Sequence, residues 1–223
     1  AGGALAARRA ETFRDEELRV LSIAGRDLAL GLENDRLRGE RRHAYIGIVA
    51  TLIEAVEAKD RFNRGHSRRV AELASRFARH IGLPARELDV IETGAKLHDI
   101  GKIGIPEEIL NKPGNLTREE FDIIKSHPVI GEQILKPLDF LADARLIVRH
   151  HHERWDGQGY PDGLAGAGIP RAAALLSIVD AFDAMTSRRP YRDGIPPDQA
   201  RQILLQGAGR QWAPDLVESF GTL

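Results

Sequence analysis

Apolar residues recur at intervals of three and four along most of this chain, and this spacing restricts the possible fold more than any other feature. Ile46, Val49, Ile53 and Val56 would share one face of a helix, and the segment 70–81 repeats the pattern. Convincing pairs of alternating strands do not occur, and the sequence contains neither an internal repeat nor a low-complexity tract. We therefore expect an all-α fold.

Turn and cap residues mark where several of these helices begin and end. Gly82 should end one helix, and Pro84 should open the next. Thr117 and Glu120 stand at the two positions of a capping box, which predicts another helix start. The segment "RAAALLSIVDAFDAMTS" is alanine-rich and has a helical pattern. Further helices are expected at about 128–136, 141–152, 197–206 and 214–220.

Charge and composition exclude several classes of protein. The 223 residues carry a formal net charge of −1, so no global field would draw the chain to nucleic acid or acidic lipid. The chain has no cysteine, which excludes disulfides, thiolate zinc sites and cysteine nucleophiles. We find no apolar run long enough to span a membrane and no signal-peptide pattern. These features predict a cytoplasmic protein.

Residues 11–40 are predicted to form one long helix with a heptad-like seam. Two interpretations fit this seam: a helix that packs on its own domain, or a linker that pairs with a second copy and couples to something upstream. The segment also resembles the closing helix of a GAF sensory domain, which implies that the chain is the effector end of a longer sensor protein. We expect residues 1–40 to be a helical linker. The seam positions are Leu18, Leu21, Gly25, Leu28 and Leu32.

Several ionisable residues stand at expected helix ends or in apolar segments, where charge is costly. His66 should open a helix, and His127 should end one just before Pro128. His151 and His152 should end another. A single such histidine is usually structural, but a buried aspartate stays charged only beside cations, donors or a metal. The whole set predicts a sulfur-free metal site, which suits iron, manganese or zinc. Its members are His66, His98, Asp99, His127, His151, His152 and Asp180.

The order of these residues resembles that of a known enzyme family. His66, the pair His98-Asp99, and Asp180 are similar to the motif of the HD superfamily of metal-dependent phosphohydrolases. The segments "HDIGKIGIP", "KSHP", "HHERWDGQGYPDGL" and "DAFDAMTSRRPYR" resemble the HD-GYP subfamily, over about residues 45–220. The resemblance implies an HD-superfamily helical bundle at 41–223. It also implies a bacterial phosphodiesterase that opens cyclic di-GMP to the linear dinucleotide and often on to GMP.

The resemblance also implies how the ligands divide between two divalent ions, most simply iron or manganese. One ion would be held by His66, His98, Asp99 and Asp180. The other would be held by Asp99, His127, His151 and His152, so that Asp99 bridges the two. Lys102 would contact a substrate phosphate. Some members use a glutamate four residues before the first histidine for a third metal; here that residue is Phe62, so we expect two. Asp183 is expected near the site and is not assigned as a ligand.

Such a site suits phosphodiester hydrolysis, in which enzymes in general remove about 8–23 kcal/mol of barrier. A lone histidine base supplies about 3–5 kcal/mol, whereas two metals supply a bridging hydroxide and neutralise the phosphate. Around the site, Tyr160 would stack on a base or bond a phosphate, or else only brace the loop. Arg189 would steer a phosphate. His150 is expected in packing, and Glu153 at the base of the loop.

Two other functions share these ligands. A di-iron HD protein that activates oxygen needs neither Lys102 nor the Gly-Tyr-Pro loop, and both are present here. A non-catalytic module that binds a cyclic dinucleotide is typical of degenerate family members, but none of the seven predicted ligands is missing. A hybrid cyclic AMP–GMP substrate stays open, since nothing in the sequence separates guanine from adenine recognition.

Overall fold

The computed structural model describes residues 15–60, 65–187 and 193–223. Within these ranges the chain forms ten α-helices and three short 3-10 helices, and no strand, which confirms the all-α prediction. The α-helices are α1 Asp15–Lys59, α2 His66–His80, α3 Ala85–Leu97, α4 Glu107–Leu110, α5 Arg118–Ile124, α6 His127–Leu135, α7 Ala142–His150, α8 Arg171–Thr186, α9 Pro197–Gly207 and α10 Pro214–Gly221. The 3-10 helices are Ile100–Gly104, Asp139–Leu141 and Gly166–Gly168.

Helix α1 is continuous over 45 residues and therefore runs through the predicted linker boundary near residue 40. The chain divides into two compact units, one that ends at Gly47 and one that covers Ile48–Leu223. The linker and catalytic domain boundaries stay a prediction. In the first unit, the four seam leucines are each 50–65% exposed. None of the described helices is both long and apolar enough to cross a membrane.

The core of the second unit is built around α8, which contacts α2, α7, α9 and α10. Buried apolar residues occur all round the first three turns of α8, because this helix is covered on every side. Near its end the same helix carries two carboxylates, Asp180 and Asp183, and Asp183 is buried. A charged group at such a position needs partners, and α2 supplies them.

The capping box at Thr117 and Glu120 is confirmed, with both reciprocal hydrogen bonds present. Two predicted helix ends are wrong. His127 does not end a helix but begins α6, because Pro128, which has no amide hydrogen to lose, fits the first turn. Helix α7 ends at His150 rather than at His152, since a turn closed by the Glu153 amide and the His150 carbonyl follows it.

Candidate metal centre

Asp99 lies in the short turn between two helical segments. Helix α3 ends at Leu97, and the 3-10 helix Ile100–Gly104 follows directly after His98 and Asp99. A β-carbon on Gly101 would overlap the backbone carbonyl of His127, so only glycine allows the 3-10 helix to approach α6 this closely. This backbone contact brings Asp99 beside His127.

Three of the predicted ligand histidines are fixed by their own backbone. Each Nδ1 donates a hydrogen bond to the carbonyl three residues earlier, and a carbonyl can only accept. The tautomer that follows carries its hydrogen on Nδ1 and leaves the Nε2 lone pair free to face a metal. The bonds are His98 to Ala95 (2.7 Å), His127 to Ile124 (2.8 Å) and His151 to Val148 (2.8 Å).

His66 is oriented by a carboxylate instead. Its Nδ1 lies 2.7 Å from Asp183 Oδ2, and Arg69 donates to both oxygens of the same carboxylate at 2.8 and 3.0 Å. Ser187 Oγ donates a further bond to Asp183 at 3.1 Å. Burial lowers the pKa of His66, but hydrogen bonds to Asp180 and Asp183 outweigh burial and raise it to about 10. Asp183 therefore holds a ligand in place, a role that the sequence analysis did not assign.

The free Nε2 atoms converge on the carboxylates. Asp99 Oδ2 lies 3.4 Å from His98 Nε2, while Asp99 Oδ1 lies 3.4 Å from His127 Nε2. Asp180 Oδ1 lies 3.1 Å from His66 Nε2 and 3.9 Å from His98 Nε2. One carboxylate thus faces two histidine groups. The seven predicted ligands form three overlapping groups, in each of which the ligand atoms lie within 4.8 Å of one another: His66, His98 and Asp180; His98, Asp99 and His151; and His127, His151 and His152.

Several members of this cluster are in the protonation state that binds metals. Burial raises the pKa of Asp99, but Lys102 and His98 outweigh it and hold that pKa well below its usual value. Burial and the neighbouring histidines lower the pKa of His151, and they lower that of His152 to about 3. Ionised carboxylates and neutral imidazoles are the forms that ligate.

His66 and His98 differ from these residues, because nearby carboxylates raise their pKa values. Burial lowers the pKa of His98, but Asp99 and Asp180 outweigh burial and raise it, as carboxylates do for His66. A metal would therefore displace a proton from each of these two histidines.

The donor set fits a divalent metal. The Nε2 atoms of His127 and His151 lie 3.3 Å apart, and both carry lone pairs because their hydrogens are on Nδ1. Two lone pairs at that distance repel unless a cation lies between them. Nitrogen and oxygen donors without sulfur suit iron, manganese and zinc.

Comparison with known proteins agrees with this arrangement. A family model described as the HD domain matches residues 50–216. This chain belongs to the HD domain family. It is 38% identical over 202 residues to the 3′3′-cGAMP-specific phosphodiesterase 2 of Vibrio cholerae, covering 90% of this chain and 39% of that protein.

Two further relatives of this HD domain carry related names. The cyclic di-GMP phosphodiesterase response regulator RpfG of Xanthomonas campestris is 37% identical, with 92% of this chain and 55% of that protein covered. A cyclic di-GMP phosphodiesterase of Thermotoga maritima is 43% identical, with 74% and 45% covered. The chain thus spans about half the length, or less, of these curated relatives.

Solved structures share the fold of the HD domain. An HDG"Y"P protein from Bdellovibrio bacteriovorus superposes with a TM-score of 0.60 at 23% identity, over 80% of this chain and 59% of that one. A cyclic GMP-AMP specific phosphodiesterase from Vibrio cholerae superposes with a TM-score of 0.58 at 19% identity, over 78% and 48%. At such identities the likeness shows the fold alone.

The Gly-Tyr-Pro loop of the HD domain is packed against the metal centre. The Tyr160 ring lies 4.8 Å from the His152 ring, centroid to centroid, at an interplanar angle of 32°. The buried Glu153 carboxylate accepts the amides of Asp162 at 2.8 Å and Leu164 at 3.0 Å, which confirms Glu153 as an anchor of the loop. A β-carbon on Gly159 would overlap the Glu153 backbone, so this contact requires glycine.

His150 takes no part in the ligand groups and packs as expected. It is buried, its Nδ1 lies 2.9 Å from the Leu146 carbonyl, and its Nε2 lies 2.9 Å from Asp162 Oδ2. Arg149 donates two bonds to the same carboxylate at 2.8 and 2.7 Å. Asp162 therefore ties the loop to the end of α7.

Lys102 lies beside Asp99, the carboxylate that is predicted to bridge two ions. Its Nζ is 2.7 Å from Asp99 Oδ2 and 3.4 Å from Asp60 Oδ2, and Asp60 is buried. Burial lowers the pKa of Lys102, but Asp99 and Asp60 outweigh burial and raise it. Together with Asp60 and Asp99, Lys102 lines a void of about 10 Å³, which is the size of one water.

A larger cavity of about 490 Å³ opens on the other ligands. His151, His152, Asp180 and Tyr160 line it, and Lys102 is not among its lining residues. Burial, with Asp99 and Asp180 nearby, raises the pKa of Tyr160, so its hydroxyl stays protonated. The predicted Arg189 and the departure at Phe62 both fall outside the described residues.

Proposed function

We propose that this HD domain is a metal-dependent phosphodiesterase of the HD-GYP type that hydrolyses a cyclic dinucleotide, cyclic di-GMP in the first instance, to the linear dinucleotide and on to GMP. The observation that carries the proposal is the carboxylate of Asp99, whose two oxygens face two different histidine groups beside a cavity of about 490 Å³. Cavities of ligand size are about 300–1,000 Å³.

Seven residues would hold two divalent ions, with Asp99 shared between them. One ion would take the group His66, His98 and Asp180, and the other the group His127, His151 and His152. Asp99 would join both, because its two oxygens lie 3.4 Å from His98 Nε2 and from His127 Nε2. When bound, such ions lower the pKa of water and neutralise charge on the phosphate.

Backbone and side-chain groups of the chain would orient the ligands and bind the substrate. The backbone carbonyls behind His98, His127 and His151 keep each Nε2 aimed inward, so no reorganisation is needed when substrate enters. We assign Lys102 to charge stabilisation at the scissile phosphate, acting through or beside Asp99. The protonated Tyr160 hydroxyl would donate to a phosphate oxygen, or its ring would face a base.

The test is chromatography of cyclic di-GMP after incubation with protein loaded anaerobically with Fe(II) or Mn(II). We expect conversion to the linear dinucleotide or GMP, and loss of that conversion in Asp99→Ala. Cyclic AMP–GMP is run in parallel, because hydrolysis of that compound alone would keep the enzyme and change its substrate. An untouched substrate despite two bound ions would contradict the proposal and favour a binding module.

We propose iron or manganese as the ions, as the resemblance to the HD-GYP subfamily implies; the sulfur-free ligands suit these metals and zinc alike. The same chromatography ranks them, and full activity with zinc alone would overturn this choice. Arg189 and the cytoplasmic location stay predictions of the sequence.

We also propose that α1 joins this domain to an upstream sensory domain and to a second copy. The seam leucines Leu18, Leu21, Leu28 and Leu32 are at least half exposed, as expected of a helix that pairs in a longer assembly. Sedimentation analysis of the chain and of Leu21→Glu tests this: a monomer in both would contradict pairing.

A further inference from the structure

Among the residues that the structure describes, two cations line the large cavity of the candidate metal centre: Lys125, which directly follows α5, and Arg154, which follows α7. Arg154 is committed to a neighbour, since its guanidinium donates to both oxygens of Asp156 at 3.0 and 2.7 Å. Lys125 Nζ lies 2.8 Å from Asp122 Oδ1, a carboxylate whose side chain is 57% exposed. Exposed ion pairs are weak, so Lys125 can exchange this partner for a phosphate.

Phe121 lines the same cavity one helical turn before Lys125. Its side chain is 44% exposed, and Lys125 Nζ lies 4.8 Å from the centroid of its ring. Residues four apart share a helix face, so the ring and the ammonium group face the cavity together. An exposed aromatic ring beside a movable cation is a suitable contact for a nucleotide.

While one half of a cyclic dinucleotide reacts at the metal ions, the other half must be bound by another part of the protein. A cyclic dinucleotide has two phosphodiesters and two purines, and a single phosphodiester is cut at a time. The second phosphodiester keeps its negative charge and the second purine its flat face. Lys102, the cation expected at phosphate, lines the separate small void beside Asp99.

We propose that Phe121 and Lys125 form a subsite for the nucleotide that is not being cut. Phe121 stacks on its purine, and Lys125 pairs with its phosphodiester. The inference rests on the proposed function, since it requires a cyclic dinucleotide as substrate, and it adds the residues that set affinity rather than rate.

The test compares two substrates. Cyclic di-GMP contains the second nucleotide, whereas bis(p-nitrophenyl) phosphate offers a phosphodiester without it. For Phe121→Leu and Lys125→Ala we expect KM for cyclic di-GMP to rise about 5- to 100-fold, the range of one stacked base or one charge pair. We expect kcat to change less than about threefold, and kcat/KM for the small diester to stay at the wild-type value.

Conservative and control variants separate the subsite from general damage. Phe121→Trp and Lys125→Arg keep the ring and the charge, so KM should stay near the wild-type value. Phe140→Ala and Lys96→Ala remove a similarly exposed phenylalanine and an exposed lysine paired with Glu92, and both should leave KM unchanged. Circular dichroism checks that each variant is folded.

Unchanged KM for cyclic di-GMP in both subsite variants would overturn the inference while leaving the phosphodiesterase intact. Equal losses on both substrates would overturn it too, because the residues would then act through the metal centre. If the wild type cuts the small diester but no cyclic dinucleotide, the proposed function fails, and calorimetric titration with cyclic di-GMP decides the subsite. Weaker binding of cyclic di-GMP by the two variants would support the subsite, and absence of binding by the wild type would contradict it.

Discussion

Two parts of the cavity wall hold their side chains in different ways. The metal wall is formed by His151, His152 and Asp180. It belongs to a cluster in which backbone carbonyls fix the rings of His98, His127 and His151, a carboxylate fixes His66, and the His152 ring packs against Tyr160. The α5 wall, formed by Phe121 and Lys125, is partly exposed, and its cation is paired with an exposed carboxylate. The first arrangement suits chemistry, which requires fixed geometry, and the second suits binding, which tolerates adjustment.

The largest effect is expected for Asp99→Ala, which changes the cluster to which the metal wall belongs. Because the two Asp99 oxygens face different histidine groups, we expect this variant to lose both ions and to fall to the rate without protein. Metal analysis and chromatography measure the two losses. Asp89→Ala, which removes an exposed carboxylate on α3, serves as the control. Two bound ions and normal turnover in Asp99→Ala would contradict the proposal that Asp99 is shared between two ions.

Lys102→Ala should have the next largest effect. Loss of the charge beside Asp99 should lower kcat about 10²–10³-fold, as when other transition-state donors are removed. Metal content should stay at two ions, because Lys102 is not a ligand. If the ions are lost together with the rate, then Lys102 acts by holding Asp99 in position. Lys96→Ala is the matched control.

Asp183→Ala tests whether the Asp183 carboxylate, which contacts His66 Nδ1, supports metal binding by His66. His66 would lose the partner of its Nδ1, and we expect one of the two ions to bind about 10- to 100-fold more weakly. Asp183→Asn keeps an oxygen acceptor and should lose less. Titration of metal-free protein with Mn(II) measures both sites. Equal weakening of the two ions would contradict a role specific to His66.

The smallest expected effect concerns the acid stability of metal-free protein. His127, His151 and His152 have lowered pKa values, that of His152 to about 3, against an ordinary value of 6.5. Below pH 6.5 the unfolded chain binds protons at these residues that the folded chain does not, so the free energy of unfolding should fall as pH falls from 6.5 toward 3. His66 and His98 have raised pKa values and therefore give the opposite slope around and above pH 6.5, but well below that pH they are protonated in both states and add no slope.

Urea unfolding of metal-free protein at pH 6, 5.5 and 5, below most of the range in which His66 and His98 oppose the effect, measures this slope. His152→Gln removes one of the three groups and should make the dependence shallower. His80→Gln, which changes an exposed histidine at the end of α2, should leave it as it is. A flat profile in the wild type would mean that these histidines are already protonated in the folded protein.

The sequence by itself determined the helical class and the capping box, and it predicted the seven ligand candidates that the fold brings together. Each depends on local information: the spacing of apolar residues, the chemistry of a cap, or the order of histidines and aspartates. The two wrong helix ends also lie at ligand histidines, His127 and His151–His152. Pro128 places His127 in the first turn of α6, and the turn closed by the Glu153 amide and the His150 carbonyl ends α7, so turns rather than the spacing of apolar residues set both ends.

Only the tertiary structure decided which residues contact the predicted ligands and which residues line the cavity beside them. Asp183 meets His66 across 117 residues of sequence, and Asp60 lies near Lys102 across 42. Whether a lysine lines the large cavity depends on how α5, α8 and the loop after α7 approach one another, and no periodicity records that approach. The spacing of residues along a helix determines which of them share a face, whereas the packing of the helices determines which residues that face contacts.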